Sequence, residues 1–138
     1  NFPFEDKETV MAKYVNDDRP LAALGHVALD VSDIDASTEF FVGLGIREIV
    51  RRDEFAVLEL RGESHIQLLR AKAPIPPGTK IPFDLMVDDN EATRKEYEAR
   101  GLQPSGFEKG HIHTEFTIPA PDGYILTMTS SHTSGRVM

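Results

Sequence analysis

Two stretches of this chain repeat one another. His26-Val27-Ala28-Leu29-Asp30-Val31-Ser32-Asp33 aligns with Pro82-Phe83-Asp84-Leu85-Met86-Val87-Asp88-Asp89, and further on Leu44-Gly45-Ile46 aligns with Arg100-Gly101-Leu102. An internal duplication constrains the fold strongly, because each copy is one supersecondary unit that cannot bury its apolar face alone. In the first copy Val27, Leu29 and Val31 alternate with His26, Ala28 and Asp30, the period of a half-buried strand. Ser32 or Asp33 can cap a following helix, Phe40, Phe41 and Leu44 form its apolar stripe, and Gly45 suits a left-handed stop. Ile46–Arg52, Phe55–Arg61 and His65–Arg70 read as three strands, the last two joined at Gly62-Glu63.

After a proline-rich linker the pattern restarts. Phe83, Leu85 and Val87 alternate with Pro82, Asp84 and Met86, Asp88 or Asp89 caps a helix ending at Gly101, and strands follow near Gln103–Lys109, His113–Ile118 and Tyr124–Ser130. The expected organisation is an arm over residues 1–20, one domain over 21–132 and a tail over 133–138. Within the domain, module 1 spans about 24–70, the linker 71–81 and module 2 about 82–130. The fold class is α+β: two β-α-β-β-β modules forming a curved eight-stranded mixed sheet around a cleft, with the helices outside.

Composition removes several functions. Without cysteine the chain has no thiolate chemistry or disulfide framework, and a reducing, cytoplasmic setting is the simplest home. A formal net charge of −8 disfavours nucleic acid, and no apolar run approaches the roughly 18 residues of a membrane span. Arg47, Arg51 and Arg52 read as a solvated strand face.

At these residues the chain resembles the vicinal oxygen chelate superfamily of glyoxalase I, extradiol dioxygenases and bleomycin- and fosfomycin-resistance proteins. The carriers are Gly25–Val31, Asp33–Ser37 with Phe40-Phe41 and Leu44-Gly45, then Val87-Asp88-Asp89, and Ala120-Pro121-Asp122-Gly123-Tyr124, similar to the family's Asp-Pro-Asp-Gly-Asn turn. The resemblance implies a homodimer and, for enzymes, a divalent metal held by up to four side chains. Its first ligand position falls on His26 and its second on Gln67, whose neutral amide is a weaker donor than a carboxylate. Its third falls on Pro82, which cannot bind metal, and its fourth on Thr127. Pro82 and Thr127 therefore break the inherited site, since tight binding normally needs three or more good donors.

Alternation also directs His65, Asp84, His113, Glu115 and His111 toward the cleft if Phe116 and Ile118 face the helices. The favoured reading is a protein that binds a small oxygenated or aromatic molecule between its modules without cofactor. The alternative is a lyase, isomerase or dioxygenase of the same superfamily with a relocated divalent metal or acid–base chemistry, in which His26, Gln67, His113 and Glu115 do the work. A third reading is an interaction domain within a larger assembly. Plainer roles stand beside these: His26 bonding a neighbouring backbone, Gln67, Asp84 and Thr127 wetting a groove, His111 and His113 exposed near a turn. Phe40, Phe41, Phe55, Phe83, Phe116 and Tyr97 read as core.

Overall fold

The computed structural model describes residues 19–109 and 114–131. Gly25–Ser131 form one compact unit. Most of the expected arm and all of the expected tail lie outside the described residues, as do His111 and His113. Among the described residues no helix is long and apolar enough to cross a membrane.

Each copy of the repeat folds as a β-α-β-β-β module. The first comprises β1 (His26–Val31), α1 (Ile34–Gly43), β2 (Arg47–Arg51), β3 (Phe55–Glu59) and β4 (His65–Arg70). The second comprises β5 (Lys80–Val87), α2 (Asn90–Ala99), β6 (Glu108–Lys109), β7 (Thr114–Pro119) and β8 (Ile125–Ser130). The strand orders are β1-β4-β3-β2 and β5-β8-β7-β6, with β1–β4 and β5–β8 parallel and the other pairs antiparallel. The structure thus contains two four-stranded sheets instead of one continuous eight-stranded sheet. Their edge strands β1 and β5 meet without a shared ladder.

The core lies between each sheet and its helix. Leu29, Val31, Leu58, Ile66 and Leu68 of the first module are buried with Phe41 of α1, and Leu85, Phe116, Ile118, Leu126 and Met128 of the second with Tyr97 of α2. Asp33, not Ser32, caps α1 by accepting from the Ala36 N–H at 3.0 Å, and Asp89, not Asp88, caps α2 by accepting from the Ala92 N–H at 2.9 Å. The displaced candidates are occupied elsewhere. Ser32 donates from its backbone and hydroxyl to Asp122 of the other module, and Asp88 pairs with Arg61 at 2.8 Å. Gly45, at φ 102, provides the left-handed exit from α1.

Four further expectations are corrected. Phe55 is 40% exposed, because its neighbours Ala56 and Leu58 take the helix-facing positions of β3. Arg51 is not a solvated residue of the strand face: it bridges β2 to α1 through Asp35 and Glu39, and also holds Glu48, and these carboxylates raise its already high pKa. The strand expected over Gln103–Lys109 shrinks to Glu108–Lys109. Gln103 is left-handed at φ 56, Pro104 has no N–H for a ladder, and Ser105 meets Thr117 of β7 through one backbone bond and one bond to its own hydroxyl. The linker is also shorter than expected, since β5 begins at Lys80.

Candidate functional site

The faces of the two sheets turned away from the helices carry the candidate residues. In sheet 1 the ladder sets His26 opposite His65, His65 opposite Glu59, and Glu59 opposite Arg47. Directly opposed residues share a face, so four polar side chains form a row across all four strands. Arg47 Nη1 lies 2.9 Å from Glu59 Oε1, and His65 Nε2 lies 3.5 Å from Glu59 Oε2. One step along, Gln67 sits between Ala28 and Val57; one step further, Leu69 sits between Asp30 and Phe55. The face therefore runs from a charged end to one where Phe55 and Leu69, each about two-fifths exposed, lie beside the exposed Asp30.

Glu59 and Arg47 were not among the residues expected from sequence. Their signal was the short connection between β3 and β4, which puts Glu59 opposite His65, but it is visible only once the strand ends are fixed.

In sheet 2, Thr127 stands opposite both Asp84 and Thr117, and Glu115 opposite Thr129. Phe116 and Ile118 are buried toward the helix side, as the alternation required for Glu115 to face outward. Lys80, Pro82, Asp84, Glu115 and Thr127 line one open recess of about 390 Å³. The described candidates thus fall into two groups, His26, His65 and Gln67 on one sheet and Asp84, Glu115 and Thr127 on the other. His26 and Glu115 lie on different sheets, and His113 lies outside the described residues.

The metal positions implied by the resemblance can be tested on these donors. His26 brings an imidazole and Gln67 an amide, whereas their counterparts bring a ring without a donor at Pro82 and a neutral hydroxyl at Thr127. The backbone differs as well. β1 and β4 pair without interruption from His26–His65 to Val31–Arg70, but the β5–β8 register shifts between Lys80 and Asp84, on either side of Pro82. Among the described residues, no group of three or more His, Asp or Glu side chains is placed to hold an ion. Of the four inherited positions, His26 and Gln67 thus carry a donor, while Pro82 has none and Thr127 only a neutral hydroxyl.

Contacts between the modules are reciprocal. The turn before β8 (Pro121–Gly123) reaches Ser32 just after β1 through Asp122, and the turn before β4 (Arg61–Glu63) reaches Asp88 just after β5 through Arg61. The guanidinium holds Asp88 below the ordinary carboxylate range. Tyr124 adds a hydroxyl bond to the Asp30 carbonyl at 2.6 Å, and burial raises its pKa. Arg100 donates to the Gly43 carbonyl.

Solved structures share this architecture. A lactoylglutathione lyase from Agrobacterium tumefaciens matches at 18% identity with a TM-score of 0.67, over 85% of this chain and 99% of that one. The bleomycin-binding protein of Streptomyces verticillus, solved with copper(II)-bleomycin, matches at 20% identity and a TM-score of 0.64 over 80% and 98%. An antibiotic-binding protein from Streptomyces sp. CB03234 matches at 18% identity and a TM-score of 0.68 over 80% and 97%. No curated protein sequence matches the chain. The family profile described as Glyoxalase/Bleomycin resistance protein/Dioxygenase superfamily matches residues 23–130. With the duplicated β-α-β-β-β modules, that match places the chain in this superfamily, the vicinal oxygen chelate proteins.

Proposed function

We propose that the protein binds a small oxygenated or aromatic molecule on the open faces of its sheets without the divalent metal used by enzymes of the superfamily. The observation that carries this reading is Pro82 in the position of His26, at a place where the ladder itself departs from that of the first module. Two of the four inherited positions then lack a good donor, while the faces keep what a ligand needs. Phe55 and Leu69 offer apolar surface, and His26, His65, Gln67, Asp84, Glu115 and Thr127 offer polar groups around it. The fold shared with bleomycin- and antibiotic-binding proteins agrees with this reading. A homodimer belongs to the same proposal: a second copy laid over the open faces would turn each into one wall of a cleft and cover Phe55, Leu69 and Met86. A cytoplasmic setting follows the absence of cysteine.

A second reading is metal-free acid–base chemistry, favoured by the Glu59 carboxylate beside His65. His111 and His113, which either reading could employ, lie outside the described residues.

Metal content separates these readings from the metal enzyme. Protein grown in metal-rich medium and assayed by mass spectrometry is expected to carry far less than one ion per chain, unchanged by His26→Ala. An ion near one per chain that disappears with His26→Ala would overturn the proposal. Native mass spectrometry of the purified protein should also reveal a retained small molecule, and His65→Ala distinguishes binding from turnover once that molecule is known.

A further inference from the structure

The duplication makes Ser64 and Tyr124 counterparts. Each is the single residue between a 3-10 turn and the last strand of its module, and each accepts the same turn-closing bond, from Leu60 N–H to Ser64 O and from Ala120 N–H to Tyr124 O, both at 2.8 Å. Their backbones agree, at φ −80, ψ 156 and φ −64, ψ 153. Their side chains do not. Tyr124 is buried at the join between the modules and donates its hydroxyl to the Asp30 carbonyl, whereas the Ser64 hydroxyl stays within its own turn, 3.4 Å from the Arg61 carbonyl.

Between the start of that turn, at Leu60 and Arg61, and the end of β5 lies a recess of about 320 Å³, which Ser64 itself does not line. Leu44, Ile46, Leu60, Leu85, Tyr97 and Met128 give it apolar walls, and the Arg61–Asp88 pair and Met86 also border it. By the repeat Met86 is the counterpart of Asp30, and its carbonyl has the same aim. β1 and β5 are edge strands whose Val31 and Val87 carbonyls turn inward to accept from Ala71 and Ser131 N–H. Successive carbonyls in a strand point in opposite directions, so those of Asp30 and Met86 turn outward toward the other module. Asp30's meets the Tyr124 hydroxyl.

We propose that this recess is a binding site for a small phenol, whose ring takes the place that a tyrosine at position 64 would fill and whose hydroxyl donates to the Met86 carbonyl. The site is bordered by the helix-facing residues Leu85 and Met128 and also by Glu59 and Met86 at the edge of the open faces, and the inference does not depend on the open-face binding proposed above.

The full-length chain titrated with p-cresol, the free equivalent of a tyrosine side chain, tests the assignment by amide chemical shifts and thermal unfolding. Shifts are expected at Leu60–Arg61 and Leu85–Asp88, with a higher unfolding midpoint at saturation. Toluene, which fits but cannot donate, should bind roughly five- to tenfold more weakly. Ser64→Tyr should unfold at a higher temperature than the parent without ligand and lose the p-cresol shifts. Shifts mapping to His26, His65 and Gln67 instead, no binding up to the solubility of p-cresol, or undiminished binding by folded Ser64→Tyr would each overturn the proposal. Should that variant fail to fold, the shift map and the toluene comparison on the parent chain decide alone.

Discussion

Asp122 holds Ser32 across the duplication: its carboxylate accepts the Ser32 backbone N–H at 3.0 Å and the Ser32 hydroxyl, joining the turn before the last strand to the head of the first helix. The position suits an anion, because the first N–H groups of α1 carry partial positive charge. Asp122→Ala should lower stability by about 1 kcal/mol, the usual range for exposed charge-assisted bonds. Asp122→Asn, which tolerates the left-handed φ of 66 and retains an acceptor, should lose less. Urea unfolding at neutral pH measures both; equal loss in the two variants would mean that a neutral acceptor at this turn replaces none of what the carboxylate contributes, and no loss in either would remove the contact from the account.

Gly123, the next residue, is required for a different reason. Its φ is 73, and a Cβ there would lie 2.9 Å from Pro77 Cα, where the linker passes and Gly78 N–H bonds the Gly123 carbonyl at 2.7 Å. Gly123→Ala combines left-handed strain with a backbone clash and should cost about 1–3 kcal/mol. A loss below the error of denaturant titration would show that the linker moves aside freely.

Two phenylalanines on strands of the two sheets should behave differently. Phe116 is 1% exposed, packed edge-on against Tyr97 and Phe107, and Phe116→Ala should cost about 3–5 kcal/mol. Phe55 lies on the open face, and Phe55→Ala should cost less than about 1 kcal/mol. If the protein is a homodimer through these faces, Phe55→Ala should additionally weaken association, read by sedimentation equilibrium in the analytical ultracentrifuge at several concentrations.

Alkaline unfolding carries the signature of the buried phenols. Burial raises the pKa of Tyr124 and of Tyr97, so each favours the folded state fully below the unfolded tyrosine pKa of about 10. That contribution is lost as pH rises through the higher folded value. Stability should therefore fall above about pH 10, and less steeply in Tyr124→Phe, which at neutral pH should be weaker by about 1 kcal/mol for the lost bond to Asp30. Denaturant titrations between neutral pH and the alkaline limit check the slope; identical slopes would remove Tyr124 from the account.

The arrangement of modules was legible because it is written locally. Alternation fixed which residues of β1 and β5 face the helices, aspartates marked the helix starts, and the Pro121-Asp122-Gly123 turn announced the last strand. The sequence also determined that Pro82 and Thr127 cannot repeat what His26 and Gln67 supply, since donor chemistry belongs to residue type. Tertiary structure alone decided the rest. Whether Ser32 or Asp33 caps α1 depended on Asp122 arriving from the other module. Whether Phe55 is core depended on which face of β3 meets α1, and the row from Arg47 to His26 depended on the register of four strands at once. Local pattern records a residue's own preference for helix, strand or turn. Cross-strand partners and the bond from the Tyr124 hydroxyl to the Asp30 carbonyl arise from long-range packing, which no short window of sequence contains.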